Sequence, residues 1–242
     1  MDSSNTTKPT EPTSTLTQVK PNVYLITLES KQITWGLLKS IHEHLDVLDK
    51  VKTPLALVTT SSFDNCYNEG IEFDIFLAEK YYFNSFLRQF MQLLARIMKL
   101  GYPTIAAING HCYAGGTMLA MAHDFRFMRD DKGKFCMKEV EMGMPLCQGL
   151  LYPIRVKVKS SVAARLAIFA ERFNQKECLE AGIVDRLVPI DQLVDLTISF
   201  GEKIAKDAPQ RSIMRMMKTT LYQKAIDACE KQFLTEAKDV PM

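Results

Sequence analysis

Long apolar runs are missing from this chain: no stretch approaches the roughly 18–20 consecutive apolar residues that a membrane-spanning helix needs. An excess of one charge is missing too. Thirty Lys and Arg against 28 Asp and Glu leave a net charge of +2. No basic run exceeds the small group of Arg155, Lys157 and Lys159, which argues against a dedicated nucleic-acid surface. The six cysteines lie far apart and form no CxxC pair. With no secretory apolar segment beside them, they predict free thiols in a reduced compartment. The four histidines show neither HExxH nor any His/Cys ligand spacing, so no metal site is expected. The N-terminal stretch lacks the arginines and amphipathic spacing of a transit peptide, and the final "KDVPM" is neither an SKL-type nor a KDEL-type address.

What is there is the composition of an ordinary globular enzyme, 47% hydrophobic and 24% charged over 242 residues. Residues 1–20 are rich in Ser, Thr and Pro without apolar periodicity, which predicts a disordered leader. "NVYLITLE" alternates as a strand should. "TWGLLKSIHEHLDVLDK" then carries helical spacing through Leu37, Leu38, Ile41, Leu45 and Leu48, with Thr34 as its N-cap. "PLALVTT" is a short buried strand, and "SSFDNCYNEGIEF" a polar loop. A long helix follows, its stripe running from Phe83 to Leu100 in steps of three and four. "PTIAAI" and "DFRFMRD" are further strands. This alternation predicts an α/β fold with crossover connections, extending over residues 21–189. Residues 190–242 read as a helical C-terminal region, including one long helix across "PQRSIMRMMKTTLYQKAIDACEKQFLTEA".

The most informative stretch is "INGHCYAGGTMLAMAHDF", where Gly115 and Gly116 open an apolar helix. Glycine within a helix costs about 1 kcal/mol against alanine, so the backbone must do something there that a side chain would prevent. A phosphate loop would need GxxxxGK[ST], a dinucleotide fingerprint GxGxxG, and a nucleophile elbow GxSxG; none is present. Two readings remain: tight helix packing, or a backbone N–H at the helix N-terminus that binds a carbonyl oxygen as it becomes negative.

Four segments in order across residues 54–188 resemble the crotonase (enoyl-CoA hydratase/isomerase) superfamily: "LALVTTSSFDNCYNEGIEF", "PTIAAINGHCYAGGTMLAMAHDFRFM", "GKFCMKEVEMGMP" and "FNQKECLEAGIVDRLVP". Within it, "HDFRFMRDDKGKFCMKEVEMGMPL" is most similar to the plant-type Δ3,Δ2-enoyl-CoA isomerases. The resemblance implies a core of ββα repeats with a helical C-terminal region that builds trimers, often paired into hexamers. It implies an acyl-CoA thioester as substrate, with CoA part of the substrate and no separate cofactor. Carried over position by position, the two oxyanion-binding N–H groups fall on Ile71 and Gly115, with Glu69, Gly70, Gly116 and Met118 around the substrate. The hydratases of the family use two glutamates. One position is Met118 here, and the other is Glu139. A single carboxylate suits an isomerase that takes a proton from C2 of a 3-enoyl thioester and returns it to C4.

Other residues are weighed against these. Glu141 competes with Glu139 as the base. Asp124 and Asp74 are expected to cap or solvate element ends, and Asp185 to be structural. His111, Cys112 and Tyr113 are expected to pack or turn. Lys31, Lys157 and Lys159 are candidates for the CoA phosphates. Glu69, where the family carries a small residue, departs from the pattern, as does Ala114 within the glycine run. Two alternatives therefore stand beside the isomerase: a non-catalytic crotonase-fold subunit of a larger assembly, and an enoyl-CoA hydratase that draws a second carboxylate from elsewhere. The family implies peroxisomes or mitochondria, whereas the lack of a readable address implies the cytoplasm.

Overall fold

The computed structural model describes residues 13–72, 74–75, 80–208 and 210–231. Its frame is a six-stranded sheet in the order β1-β2-β3-β5-β7-β9. These strands are Ser14–Lys20 (β1), Val23–Leu28 (β2), Ala56–Ser61 (β3), Thr104–Ile108 (β5), Phe125–Arg129 (β7) and Arg186–Val188 (β9). Only β1 and β2 pair antiparallel. A second, parallel sheet holds Cys66–Asn68 (β4), His111–Tyr113 (β6) and Phe135–Cys136 (β8). Successive strands thus alternate between the sheets: β3 then β4, β5 then β6, β7 then β8. The first two pairs each run into a helix, Lys80–Met98 (α2) and Gly115–Ala122 (α3). This is the ββα repeat expected from the resemblance.

Burial explains the strand sequences. "ALVTTS" and "TIAAI" are buried throughout, as central parallel strands covered on both faces should be. Trp35–Lys50 (α1) begins at Thr34, whose hydroxyl accepts the Leu37 N–H at 3.1 Å. Ile190–Asp207 (α7) covers one face of the large sheet, setting Leu193 and Ile198 against Val23, Val58, Ile105 and Phe127. The other face carries the main core, built with α1, α2, α3 and Gln148–Arg155 (α4). Ser160–Ala167 (α5) and Gln175–Glu180 (α6) precede β9.

Four sequence expectations are corrected. The segment up to residue 20 is not all leader, because Ser14–Lys20 is a strand. It is an edge strand, with Leu16 and Val19 half-buried and Ser14 bonded to Ser40 at 2.6 Å, so the apolar alternation that would announce it is weak. Residues 1–12 lie outside the described residues. The polar loop after β3 contains a buried strand, β4. The long C-terminal helix is two, Arg211–Leu221 (α8) and Gln223–Lys231 (α9), separated at Tyr222. Lys157 is not a surface cation: its Nζ donates to the Tyr222 hydroxyl at 2.6 Å, and burial lowers its pKa to about 7.

Candidate functional site

Three chain segments meet at the start of α3. The first is a short parallel ladder between residues 31–33 and 69–72. Glu69 N–H donates to Lys31 O at 2.7 Å, Ile33 N–H to Gly70 O at 2.7 Å, and Glu72 N–H to Ile33 O at 3.1 Å. In such a ladder the residue between the bonded ones turns its own N–H to the opposite edge, so the Ile71 N–H faces away from Ile33. The second segment is β6 with the helix it feeds. The third is β8, registered with Tyr113 opposite Cys136 and locked by the Ala114 N–H donating to Cys136 O at 2.9 Å. Thr117 Oγ1 ties the same carbonyl to Cys112 O, at 3.0 Å from each. Gly115 and Glu139 therefore leave the same end of one paired ladder, two and three residues beyond it.

The glycines divide the two readings between them. A Cβ on Gly116 would lie 2.4 Å from Asn68 O, so this glycine is there for packing. A Cβ on Gly115 would stand 3.4 Å from the Ile71 nitrogen and 3.0 Å from Ile33 Cδ1. Gly70 has φ +103, and a Cβ on it would lie 3.1 Å from the Gly115 nitrogen and 2.8 Å from Ala114 Cβ. The Ile71 and Gly115 nitrogens thus lie close together at the start of α3. The Gly115 N–H is in the first helical turn, where no intrahelical acceptor exists, and the helix dipole adds positive potential there.

Glu139 opens a 3-10 turn, Glu139–Met142, that ends at Gly143 with φ +68. It is only 7% exposed, and its Oε2 is buried without a hydrogen-bond partner. Burial raises its pKa to about 7, against the opposing pull of the Glu139 and Lys138 backbone amides. A solvated loop charge would show none of this. Glu141 is exposed and held by Arg172 at 2.7 Å. Met118 is 1% exposed on α3.

The remaining candidates take structural places. Asp124 is half-buried, accepts from Thr104 N–H at the start of β5 at 2.9 Å and pairs with Lys218. Asp185 accepts from Arg126 at 3.0 Å, and Asp74 is exposed. His111 Nδ1 and the Tyr113 hydroxyl share a hydrogen bond of 2.5 Å on the outer face of β6, with Lys138 Nζ 4.3 Å from the Tyr113 ring centroid. Cys112 is buried. Lys31 lies over Phe63, and Lys159 is exposed ahead of α5. Glu69 is exposed at the end of the ladder. Grooves of about 440 Å³ beside Tyr102 and Arg211 and about 350 Å³ beside Trp35 and His42 lie elsewhere; neither is lined by Ile71, Gly115 or Glu139. Sequence reasoning missed Asn68, whose carboxamide accepts the Gly70 N–H at 3.0 Å. An Asn two residues before a Gly was the available signal. Among the described residues no three His, Cys, Asp or Glu side chains cluster as metal ligands, and no helix is long and apolar enough to cross a membrane.

Known proteins share both the sequence pattern and the fold. Over 139 residues the chain is 34% identical to enoyl-CoA delta isomerase 3 of Arabidopsis thaliana, covering 56% of this chain and 58% of that protein. It is 32% identical to the peroxisomal enoyl-CoA delta isomerase 2 of the same plant over equal shares. The match therefore spans little more than half the length of these curated relatives. A mitochondrial enoyl-CoA hydratase of Pongo abelii is 27% identical over 72% of this chain and 59% of its own. Among solved structures, human mitochondrial delta3-delta2-enoyl-CoA isomerase superposes with a TM-score of 0.82 at 19% identity, over 94% of this chain and 92% of that one. An enoyl-CoA hydratase/isomerase family protein of Pseudomonas syringae gives 0.85 at 17% identity, over 95% and 98%. At such identities these structures speak for the fold alone. The model of the enoyl-CoA hydratase/isomerase family matches residues 18–240, and the chain belongs to that family.

Proposed function

We propose that the protein is a Δ3,Δ2-enoyl-CoA isomerase that moves the double bond of a 3-enoyl-CoA to the conjugated 2-trans position, as unsaturated fatty acid β-oxidation requires. The observation that carries this reading is a buried carboxylate, Glu139, that leaves the same end of the β6–β8 ladder as Gly115, with the buried Met118 at the position of the family's second acid. The substrate's thioester oxygen accepts from the two N–H groups. Glu139, as carboxylate, takes a proton from C2. The electron pair passes to the thioester oxygen, and the dienolate that forms is held by donors fixed before reaction, an effect worth about 3–4 kcal/mol per donor. Protonated Glu139 then gives its proton to C4, and the double bond comes to rest between C2 and C3. No atom is gained or lost.

A base for so weak a carbon acid benefits from a pKa near neutrality, and burial of Glu139 supplies that direction. A hydratase would need a second polar group to hold water; Met118, buried and apolar, opposes it. The curated isomerase relatives support the same choice, and two of them carry a peroxisomal label in their names. Assembly as a homotrimer, or a hexamer of two trimers, belongs to the same proposal.

The test is conversion of a 3-enoyl-CoA to its conjugated product, run with wild type and Glu139→Gln. Conversion by wild type with at least about a hundredfold loss in the variant is expected for a general base. Equal rates would discard Glu139 and leave Glu141. No conversion and no acyl-CoA binding would make the chain a non-catalytic subunit.

A further inference from the structure

Asn68 is 0% exposed and lies at the end of β4, beside the site but outside every role assigned above. Its side chain holds the residue before one of the two amides, and its main chain packs on the residue after the other. Oδ1 accepts the Gly70 N–H at 3.0 Å, closing a tight turn at the residue before Ile71. Its carbonyl oxygen and Cβ press on the first turn of α3, where a Cβ on Gly116 would meet them at 2.4 and 2.9 Å. The ladder between β4 and β6 slips in register between Cys66 and Asn68, and from Glu69 onward the chain pairs instead with residues 31–33, away from α3. Gly70, at φ +103, adds no rigidity of its own. Asn68 links the two sides: its carboxamide closes the turn that leads to the Ile71 N–H, and its main chain packs on the first turn of the helix that offers the Gly115 N–H.

We propose that Asn68 is the positioning residue of the Ile71 and Gly115 amide pair, and that its carboxamide determines how strongly the pair polarises a bound thioester carbonyl. The inference rests on the isomerase reading for its catalytic consequence, but its spectroscopic consequence needs only that an acyl-CoA binds. Asn68 touches no substrate; it acts through Gly70. Without Oδ1 the Gly70 N–H is left buried with no acceptor, and the Glu69–Gly70 peptide loses its anchor, so the next peptide, which carries the Ile71 N–H, is held only through Gly70 O by the Ile33 N–H. The contacts that hold the rest of an acyl-CoA do not involve this bond, so the effect falls on the chemical step.

The experiment uses full-length protein and three variants. Asn68→Ala removes the acceptor. Asn68→Asp keeps an oxygen at the same reach, with its charge near the positive end of α3. Asn68→Ser offers a shorter hydroxyl. Two readouts are taken: kcat and KM for a 3-enoyl-CoA, and the carbonyl stretch of bound hexanoyl-CoA labelled with carbon-13 at the thioester. Asn68→Ala is expected to lose about 30- to 100-fold in kcat, the scale of a misplaced catalytic contact, with KM within about threefold. Its bound carbonyl should return toward the frequency seen in water. Asn68→Asp should recover most of the rate and the lowered frequency. A kcat for Asn68→Ala within threefold of wild type, or a carbonyl frequency unchanged by the substitution, overturns the proposal. Should Asn68→Ala not fold, the order Asp above Ser in both readouts carries it, and equal values for the two overturn it. A wild type that binds hexanoyl-CoA but isomerises nothing sinks the isomerase reading and leaves the frequency test standing. A wild type that binds no acyl-CoA sinks both.

Discussion

The burial that suits Glu139 to the proposed base role should work against the fold. Its pKa is raised from an ordinary 4.5 to about 7 by burial. The folded chain therefore keeps a proton between those values that the unfolded chain has already lost. That binding favours folding below about 4.5 and is lost as pH rises through about 7, so the ionised carboxylate is a burden on the fold above neutrality. A difference of this size corresponds to roughly 3 kcal/mol. Glu139→Gln should leave the melting temperature near the wild-type value at pH 4 and raise it progressively up to pH 8, while isomerisation is lost. Thermal melts at several pH values read this directly. A variant that is less stable than wild type at pH 8 would mean that the carboxylate is satisfied in solution. The rate should show the complementary limb: kcat rises with pH through about 7 as the base ionises, and a flat profile from pH 5 to 8 would contradict a general base held in this way.

At the scale of elements, the turn into α3 is strained and crowded together. Ala114 sits at φ 49 and ψ −121 ahead of the helix, a region that a side chain rarely adopts, and its Cβ fills the space that Gly70 must leave open. Such residues cost about 1–3 kcal/mol, so Ala114→Gly should stabilise the protein by about 1 kcal/mol in denaturant melts. Gly116→Ala works in the other direction. Its Cβ has backbone for a neighbour, which cannot swing aside, so a loss of about 2 kcal/mol or more is expected on the scale of overpacking; no measurable loss would mean that β4 and α3 are not pressed together as described. These elements also mark what was legible in the sequence. Buried strands such as "TIAAI", the α1 stripe and its Thr34 cap announce themselves because one rule, burial or capping, determines each. The glycines signalled that the backbone was needed, but not that Gly116 packs while Gly115 approaches Ile71, since that depends on which segments meet. β1 was hidden because an edge strand needs little apolar alternation. Asn68 was hidden because its partner is a main-chain N–H in a turn that only the fold defines. Glu139 read alone as a solvated charge; the ordered resemblance singled it out, and its burial depends on the turn after β8, which only the fold defines.

At the scale of the whole molecule, α8 is turned inside out. Arg211, Arg215 and Lys218 stand at helical spacing on its inward side. Arg211 donates to Val51 O and Leu48 O, Arg215 reaches Asp49 at 3.5 Å, and Lys218 donates to Tyr102 O at 2.8 Å and to Asp124. Ile213, Met216, Met217 and Leu221, also at helical spacing, face outward, with Met216 and Met217 each 67% exposed. An amphipathic helix normally turns its apolar stripe to the core, and an exposed stripe of this kind marks an interaction surface. Buried Lys218 acts as an anchor that keeps the stripe outward, because leaving it without Asp124 would strand a charge in the interior. A further copy of this chain is the occupant that the proposed homotrimer would place there. Sedimentation at micromolar concentration should therefore give the mass of three or six chains. Met216→Glu with Met217→Glu, two surface changes that leave the anchor untouched, should shift the protein toward monomer without lowering the cooperativity of its thermal unfolding. A wild-type monomer would remove the homotrimer from the proposal. A trimer that survives both glutamates would place its contacts on a surface other than α8.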